Sequence, residues 1–391
     1  MKILYHHRIR SKDGQYVHVE EMIHALRALG HEVIIVAPAA MENEDFGADA
    51  GAVAWMKRHL PKWIYELLEL SYSLLAYWRL RRAVREHRPD CLYERYNLLL
   101  PAGVWLKRRY GLPMLLEVNA PLFEERAHYD GLSLKRLARW SEAYAWRGAD
   151  FALPVTRVLG AKVIAAGVPA SRIRVIPNGI NLERFGAAPD TAEAKRALGL
   201  EGRLVLGFTG FVRDWHGIDS VIDLIAHDSV DTPRHLLMVG DGPARAGLET
   251  QAKRLGVSDR VTFTGVVNRD EVARYVAAFD IALQPAVVEY ASPLKLFEYL
   301  MLGRAIVAPA QANIMEVLRD GDNAVLFDPE RMGALAEAIE RVSRDSELRQ
   351  RIARGARAAI DEQGLTWQRN AERVIALFEG LQKKDAGKCQ A

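Results

Sequence analysis

The sequence predicts an α/β protein with two Rossmann-like domains, and two observations lead to that prediction. Short apolar segments alternate with longer segments of helical periodicity, which is typical of parallel sheets with crossover helices. The chain has 391 residues, too many for one ordinary hydrophobic core. We expect domains at 1–180 and 181–365 and a terminal helix with a tail at 366–391. The turn-rich segment from Pro177 to about Pro189 is the predicted linker.

The first half opens with KILYH, a predicted strand, followed by a predicted helix in VHVEEMIHALRALG. Five apolar residues of that segment recur at helical spacing, and Gly30 marks its end. HEVIIVAP is predicted to be a second, buried strand. The alternation continues with strands in DCLYERY, PMLLEVNAP and DFALPV.

The second half repeats the alternation with six predicted strands, each followed by a helix-like segment. They are RLVLGFTG, RHLLMVG, RVTFTG, DIALQP, RAIVAP and AVLF. TWQRNAERVIALFEGL is a terminal helix, and KKDAGKCQA is predicted to be a frayed tail. Because ligands bind at the carboxyl ends of strands in open α/β sheets, we expect the two domains to face each other across a ligand-binding cleft.

Composition narrows the class of protein. A net charge of +3 is too small to indicate nucleic-acid binding. Cys91 and Cys389 are the only cysteines, which excludes a cysteine-based metal cluster and argues against a disulfide-built secreted fold. The apolar run in MKILYHHRIR is too short for a signal peptide, and no segment approaches the ~20 apolar residues of a spanning helix. We expect a cytoplasmic protein.

The segment EYASPLKLFEYL predicts a helix that begins at a strand end. Ser292 is a suitable N-cap and Pro293 a suitable first helical residue. The free N–H groups of Leu294 and Lys295 would then attract an anion, and the charge of Lys295 strengthens that attraction. This is the chemistry that a diphosphate requires.

Glu298 follows Lys295 by about one helical turn. Its carboxylate suits neutral hydroxyls such as a ribose diol, and it would repel a phosphate. The alternative is a surface pair between Lys295 and Glu298 at i,i+3, worth only a few tenths of a kcal/mol. Spacing alone favours that alternative.

Four segments of the second half occur in one order that resembles a known family: VIPNGINLERF, LLMVGDGPARAGLE, VTFTGVVNRDEVARYVAAFDIALQP and SPLKLFEYLMLGRAIVAP. Together they resemble the retaining nucleotide-sugar glycosyltransferases of the GT4 family, which have the GT-B fold. The resemblance implies a metal-independent hexosyltransferase that moves a sugar from a nucleotide-diphosphate sugar to a hydroxyl acceptor. Surface polysaccharide or glycoconjugate assembly is the implied setting, and the acceptor would be a sugar or a lipid-linked sugar.

The same resemblance assigns the domains. It implies an acceptor-side domain at 1–180, a donor domain at 181–365, and a terminal helix at 366–391 that packs back on the first domain. It places Glu298 on the donor ribose, as the second glutamate of an E-x7-E pattern. Tyr290 stands where the first glutamate is usual, and Glu289 lies one place earlier. Either the loop shifts to present Glu289, or the donor sugar is held differently.

Loop residues of the same segment match the part of the family whose backbone contacts the phosphates and donor sugar: Ala291, Ser292, Pro293 and Leu294. The family also has an Arg and a Lys after the first strand of the donor domain. Here GFTGFVRDWHGID places Phe211 and His216 at those positions. Arg213 and Lys295 are the predicted substitutes, although Arg213 is also compatible with solvated surface.

His216 is interpreted as a neutral hydrogen-bond donor to phosphate, which predicts that activity falls as pH rises through its titration range. Val266 and Val267 follow Gly265 in the turn that meets the nucleobase in the resembled family. The glycines of the GDGP turn, Gly240 and Gly242, are expected to serve backbone geometry.

In the first half, Gly14 and Gln15 occupy a turn whose backbone approaches the donor diphosphate in relatives. Asn119 stands where relatives have a His near the donor sugar. It can hydrogen bond to a sugar hydroxyl or to the leaving oxygen, but it cannot act as a general base. Glu117 is interpreted as a structural partner of an arginine such as Arg95.

Five further polar residues are weaker candidates. Glu124, Glu125 and His128 are predicted to lie in an acceptor-side loop, and His6 or His7 could point into the cleft from the first strand.

The implied mechanism needs few side chains. The diphosphate leaves as an anion held by the helix start, Lys295 and Arg213, while the acceptor attacks from the same face. The leaving oxygen takes the acceptor's proton. Protein cations replace magnesium, so no metal and no cofactor are expected.

The segment 55–89 combines aromatic and basic residues. One helical face carries Ile64, Leu67, Leu68, Ser71, Leu75 and Trp78. Such a helix can lie in a bilayer interface, which predicts loose contact with the inner face of a membrane. The alternative is a crossover helix whose apolar face packs on the sheet.

Two other functions stay open at this point. One is a GT-B nucleotide-sugar epimerase that needs no acceptor. The other is a non-catalytic relative that binds a nucleotide sugar, because several family positions differ here.

Overall fold

The computed structural model describes residues 1–9, 14–38, 59–228 and 233–388. These residues form two compact units. Unit 1 comprises Met1–Pro177, the three residues Tyr290–Ser292 and the described residues from Trp367 onward. Unit 2 comprises Asn178–Glu289 and Pro293–Thr366. The chain therefore returns to unit 1 for three residues in the middle of unit 2.

Eleven strands lie in the described residues, and all the strands predicted from the sequence are present. They are β1 (Lys2–His6), β2 (Glu32–Val36), β3 (Cys91–Arg95), β4 (Met114–Val118), β5 (Phe151–Pro154), β6 (Leu204–Thr209), β7 (Arg234–Val239), β8 (Val261–Phe263), β9 (Ile281–Leu283), β10 (Ala305–Pro309) and β11 (Val325–Phe327).

Fifteen α-helices connect or follow these strands in the described residues. They are α1 (Gly14–Ala28), α2 (Lys62–His87), α3 (Ala102–Tyr110), α4 (Leu122–Glu125), α5 (Lys135–Gly148), α6 (Arg157–Ala165), α7 (Leu182–Gly186), α8 (Thr191–Leu198), α9 (Ile218–Ala226), α10 (Arg245–Arg254), α11 (Val272–Ala277), α12 (Leu294–Met301), α13 (Ala334–Arg344), α14 (Ser346–Gln363) and α15 (Trp367–Lys388).

Unit 1 contains a five-stranded parallel sheet in the order β2-β1-β3-β4-β5. Its central strands are fully buried because helices cover both faces, as is usual for parallel sheets. The prediction of a second buried strand is wrong for β2. That strand forms the edge of the sheet, and only Val33 of its five residues is buried.

The terminal helix α15 packs against α1 within unit 1. The ring of Trp367 meets the ring of His18 edge-on, with centroids 4.8 Å apart. The amide of Asn370 donates a hydrogen bond of 2.7 Å to the carbonyl of Pro177. The predicted frayed tail is partly wrong, because α15 continues to Lys388.

Unit 2 contains a six-stranded parallel sheet in the order β11-β10-β9-β6-β7-β8. Alternate residues of β6 point to opposite faces, so Val205 enters one apolar cluster and Leu206 the other. Helix α12 packs in the first cluster through Leu296 and Phe297. Its start lies after β9, on the side of the sheet where β6 also ends.

Helix α2 presents an apolar face to solvent. The side that packs on unit 1 includes Ala76, Leu80 and Val84. The predicted apolar face is exposed instead, with Leu75 at 48% and Trp78 at 69% exposure. Helix α2 is the crossover from β2 to β3 and packs on the sheet, as the alternative held, but it does so through a different face. Residues 55–58 lie outside the described residues. Among the described residues, no helix combines the length and the apolarity needed to cross a bilayer.

Candidate functional site

The start of α12 differs by one residue from the prediction. Pro293 occupies the N-cap position, with ψ at 123°, and the helix begins at Leu294. Ser292 is not the N-cap and Pro293 is not the first helical residue, because the extended ψ of Pro293 keeps it outside the helical turn. The free N–H groups of Leu294 and Lys295 still lie at the helix start, where their dipoles favour an anion.

Packing of α12 decides which side chains remain available. Leu296, Phe297, Tyr299 and Leu300 are buried in unit 2. Lys295 and Glu298 are half-buried and stand one turn apart on the remaining side. Their environment differs from the solvated i,i+3 pair considered as the alternative.

Lys295 is held against an aromatic ring. Its Nζ lies 3.6 Å from the centroid of the Phe208 ring, at the end of β6. Burial lowers the pKa of Lys295 to about 7, although the charge of Glu298 opposes that shift. The ammonium group is thus poorly solvated, and an anion bound beside it would be strongly attracted.

Glu298 is positioned by residues that the sequence did not single out. Thr209 Oγ1 donates to Glu298 Oε2 over 3.4 Å, and Thr209 N donates to the hydroxyl of Tyr299 over 3.0 Å. Burial raises the pKa of Glu298, opposed by Lys295, Thr209 and Arg269. Thr209 is 89 residues from Glu298 in the chain, so only the strand order of the sheet could reveal this contact.

His216 is buried beside the same helix start. Its Nδ1 accepts a hydrogen bond of 2.9 Å from the Arg213 backbone, so the ring proton resides on Nε2. Burial and the nearby charge of Lys295 lower the pKa of His216 to about 3. The neutral donor predicted for His216 fits this geometry. A pKa lowered this far argues against the predicted fall of activity through the titration range of His216, because the ring would already be neutral near pH 7.

Arg213 and Phe211 form an exposed pair on the loop after β6. The guanidinium of Arg213 lies 5.3 Å from the centroid of the Phe211 ring. Arg213 is exposed, and among the residues that the structure describes it forms no ion pair with a carboxylate. Its side chain is therefore able to swing toward a bound anion.

The loops after β6 and β7 touch through their backbones. A Cβ atom at Gly240 would lie 2.2 Å from the Gly210 carbonyl, and one at Gly242 would lie 2.1 Å from the Val212 carbonyl. Gly240 and Gly242 also have φ values of +129° and +156°. The interpretation of the GDGP glycines as serving backbone geometry is confirmed.

Thr264 joins the neighbouring loop to this pair. Its Oγ1 accepts from Gly240 N over 3.2 Å and donates to the Gly265 carbonyl over 2.8 Å. Of the two predicted nucleobase contacts that follow, Val266 is 60% exposed and Val267 packs partly against the core. The turn therefore leaves one apolar side chain accessible.

Tyr290 lies on unit 1. Its hydroxyl donates to Glu125, and its carbonyl accepts from Thr156 Oγ1 over 2.9 Å. Burial raises the pKa of the Glu125 carboxyl. Glu289, the preceding residue, is exposed on unit 2. The two candidates for the first-glutamate position thus have different surroundings, and Ala291 shares the short segment with Tyr290.

A second polar cluster, the Glu117 network, lies at the carboxyl ends of β3 and β4 in unit 1. Glu117 accepts from Arg95 over 2.6 Å, from Tyr93 over 2.8 Å and from the Asn119 amide over 2.5 Å. His18 Nε2 lies 3.0 Å from the same carboxylate. The predicted structural pair of Glu117 with Arg95 is confirmed.

Charge explains the protonation state of this network. Burial would raise the pKa of Glu117, but His18 and Arg95 hold it well below its usual range. These partners therefore favour the ionised form of the carboxylate. One N–H of the Asn119 amide donates to Glu117, which leaves its second N–H and its carbonyl oxygen for another partner.

The remaining first-half candidates are distributed as follows. Helix α1 begins at Gly14, and the side chain of Gln15 lies outside the described residues. His6 Nδ1 lies 2.6 Å from Glu94, and His7 accepts from Ile9 N. Both histidines are buried, and burial lowers the pKa of His7 to about 4.

The predicted acceptor-side loop is wrong in its secondary structure. Glu124 and Glu125 belong to α4, and His128 belongs to a π-helical turn over Arg126–Asp130. Glu124 pairs with Lys162 over 2.7 Å. A helix forms here because α4 packs on α5 rather than running free over the surface.

Comparison with known proteins agrees with both units. Residues 13–179 match the model of the glycosyl transferase 4-like domain, and residues 190–359 match that of the glycosyl transferases group 1. The chain belongs to the group 1 glycosyltransferases of the GT4 type. The predicted family and the predicted GT-B fold are confirmed.

Two named relatives of this chain are sugar transferases. This glycosyltransferase is 25% identical over 261 residues to an alpha-D-kanosaminyltransferase of Streptomyces kanamyceticus, covering 64% of this chain and 66% of that protein. It is 24% identical over 372 residues to a GDP-mannose-dependent alpha-mannosyltransferase of Mycobacterium tuberculosis, covering 93% and 92%. The chain spans about half to two thirds of the length of the first curated relatives it matches.

A solved structure shares the fold of this glycosyltransferase over nearly the whole chain. The Anabaena protein HepE in complex with UDP-glucose superimposes with a TM-score of 0.72 at 21% identity. The match covers 97% of this chain and 100% of that one.

Proposed function

We propose that this glycosyltransferase moves a hexosyl group, with retention of configuration, from a nucleoside-diphosphate sugar to a hydroxyl acceptor. The observation that carries the proposal is the placement of Lys295 and Glu298 one turn apart at the start of α12. A poorly solvated ammonium and a nearby carboxylate suit a ligand that has a diphosphate at one end and a diol at the other. A relative that depends on GDP-mannose and a structural neighbour in complex with UDP-glucose support the same ligand class.

Lys295 holds the diphosphate in this proposal. The N–H groups at the start of α12 and the ammonium point to one anion, and both favour the extra negative charge that develops as the diphosphate leaves. Nε2–H of His216 supplies a neutral donor, and Arg213 supplies a mobile second charge.

Glu298 holds the ribose diol. Its hydrogen bond from Thr209 leaves lone pairs of the carboxylate open to two hydroxyl donors. A bound diol would supply stronger donors than the long bond from Thr209 gives to this half-buried carboxylate, which makes binding favourable. Backbone contacts from Gly14, Ala291, Ser292, Pro293 and Leu294, and side-chain contacts from Gln15, Asn119, Glu289, Tyr290, Val266 and Val267, stay predictions.

The acceptor proton passes to the leaving phosphate oxygen, and the acceptor attacks from the face that the diphosphate leaves. This step needs charge stabilisation but no general base, and Asn119 could not act as one. Because protein cations neutralise the diphosphate, we propose that turnover requires no metal. Full activity after EDTA treatment is expected, and loss that magnesium restores would contradict it.

We place the reaction in surface polysaccharide or glycoconjugate assembly at the inner face of a membrane, with a sugar or lipid-linked sugar as acceptor. The support is the solvent-exposed apolar face of α2, which includes Leu67, Leu68, Leu75 and Trp78. An exposed apolar face of this kind is removed from water when the helix lies in a bilayer interface. Replacing Leu75 and Trp78 by serine should lower the fraction of protein recovered with vesicles.

The central experiment is a thermal-shift screen with UDP-, GDP- and ADP-sugars, followed by assay of nucleoside diphosphate release. One donor should raise the melting temperature of the parent, and Glu298→Ala should weaken that donor about tenfold to a hundredfold through lost charged hydrogen bonds. Glu201→Ala, on an exposed surface pair, is the matched control.

The product identifies the reaction class. Nuclear magnetic resonance of the transferred sugar should show the anomeric configuration of the donor. An inverted product would refute retention, and interconverted sugar without nucleotide release would indicate an epimerase. Donor binding without turnover across acceptors would indicate a non-catalytic relative.

A further inference from the structure

An open groove of about 590 Å³ lies between α3 and α5 on unit 1. Five cationic side chains line it: Arg108, Lys135, Arg136, Arg139 and Arg147. All five are exposed at the surface. No carboxylate lines the groove.

Nearby acidic residues are committed elsewhere. Asp150 pairs with Lys107 over 2.6 Å, and Glu142 is buried against Tyr96. Glu66 accepts from the backbone N–H groups of Ser133 and Leu134, just before α5. Among the residues that the structure describes, none of the five groove cations forms an ion pair with a carboxylate. The groove therefore carries an uncompensated positive charge.

Aromatic rings form the apolar part of the groove. Trp140 is 52% exposed and stacks on Tyr144, with ring centroids 5.2 Å apart. Arg108 lies over the other ring of this pair, 4.9 Å from the Tyr144 centroid. Guanidinium groups suit bidentate contact with phosphate, and an exposed indole suits the boundary between water and lipid.

We propose that this groove binds the phosphate headgroup of an anionic lipid at a membrane surface. A free phosphate would use the cations but would gain nothing from the exposed indole. A lipid uses both, because its phosphate meets the guanidinium groups while Trp140 rests at the level of the headgroups.

The groove adjoins α2, and this position supports a lipid, rather than a free phosphate, as its ligand. Arg81 and Arg85 of α2 lie beside the hydroxyl of Tyr110, which ends α3 two residues after Arg108. The exposed apolar face of α2 and the groove thus belong to neighbouring helices of one unit. The apolar face would bind any bilayer, whereas the groove would select anionic headgroups. This inference concerns unit 1 and does not depend on the donor chemistry at α12.

The test uses flotation of the full chain with vesicles of phosphatidylcholine, with and without phosphatidylglycerol. Lys135→Glu with Arg136→Glu reverses two groove charges. Lys253→Glu with Arg254→Glu, on the exposed end of α10, makes the same change to an adjacent Lys-Arg pair on unit 2. The groove variant should lose roughly thirtyfold or more in binding to anionic vesicles, and the control should bind like the parent.

Three further measurements test the proposal. On vesicles of phosphatidylcholine alone, the groove variant and the parent should bind equally, and donor-induced thermal shifts should be unchanged in both. Trp140→Ala should weaken binding to anionic vesicles several-fold. The proposal is overturned if the groove variant binds anionic vesicles like the control, if the parent shows no preference for them, or if inorganic pyrophosphate binds the groove while vesicles do not.

Discussion

Glu117 of strand β4 in unit 1 and Glu298 of helix α12 in unit 2 are both carboxylates that lie close to cationic side chains. Glu117 accepts hydrogen bonds from Arg95, Tyr93 and Asn119, and its pKa lies well below the usual range. Glu298 has one long hydrogen bond from Thr209, and its pKa is raised. The two sites contain similar charges but differ in how completely those charges are satisfied.

This difference separates a structural network from a ligand site. The donors around Glu117 saturate it, so a ligand could only replace bonds that already exist. Lys295 and Glu298 keep their charges poorly satisfied, and both pKa values move toward the neutral forms. Removing these charged groups from water without giving them hydrogen-bond partners costs free energy. A bound ligand that supplies those partners would offset the cost.

The largest expected effect is on stability in unit 1. Glu117→Gln leaves Arg95 buried without a carboxylate and should lower the free energy of unfolding by about 3–5 kcal/mol. Urea denaturation followed by circular dichroism measures it. The matched control is Glu201→Gln, whose exposed pair with Arg196 should be worth less than about 1 kcal/mol. Equal stabilities of the two variants would show that the network is not structural.

The next effect is on catalysis in unit 2. Lys295→Ala removes a cation aimed at the developing charge and should lower kcat by about a hundredfold to a thousandfold. Its stability should stay equal to that of the parent or rise, because a poorly solvated charge is lost. Steady-state nucleotide release and thermal melting measure the two quantities. A variant that unfolds easily but turns over normally would reverse the proposed roles of the two sites.

The pH dependence of activity tests whether Lys295 is as poorly solvated as the comparison with the Glu117 network implies. Lys295 is charged below its pKa of about 7 and neutral above it. Activity at low donor concentration should therefore fall as pH rises through about 7, approaching tenfold per pH unit well above it. A bound diphosphate favours the charged form, so the fall in kcat should come at higher pH. In Lys295→Arg the fall should disappear, and its persistence would assign it to another group.

The smallest effect concerns Tyr290. Tyr290→Phe deletes the bond to Glu125 but keeps the contact of the backbone carbonyl with Thr156, so stability should fall by about 1 kcal/mol. Tyr290→Glu introduces the glutamate that the family pattern has at this position, but it would place a second carboxylate beside Glu125. We expect it to lower rather than raise donor affinity, and a gain in affinity in a donor titration would contradict this contact.

Local patterns in the sequence predicted the strands and the presence of helix α12, because period and composition are local properties. The burial of β2 was mispredicted because apolar content does not reveal whether a strand lies at the edge of a sheet. The helix start was misplaced by one residue, since both Ser292 and Pro293 suit the first turn. Lys295 and Glu298 were found together because helical spacing alone makes them neighbours.

Long-range contacts account for what the sequence could not show. Tyr290 meets Glu125 across 165 residues of sequence, so neither position alone indicates the other. The pKa of His216 depends on burial and on Lys295, which come from separate segments. The exposed face of α2 was identified correctly as apolar, but only packing decided that Ala76 and Leu80, on the opposite side, enter the core.

The bare backbone contact between the loops at Gly210–Val212 and Gly240–Gly242 has a consequence for building chimeras. The two loops pack backbone against backbone, and the space between them is too small for a methyl group. A hybrid that imports one loop from a relative would meet a surface shaped for a different chain. A chimera with a relative should therefore exchange both loops together, because either loop alone would meet an unmatched backbone.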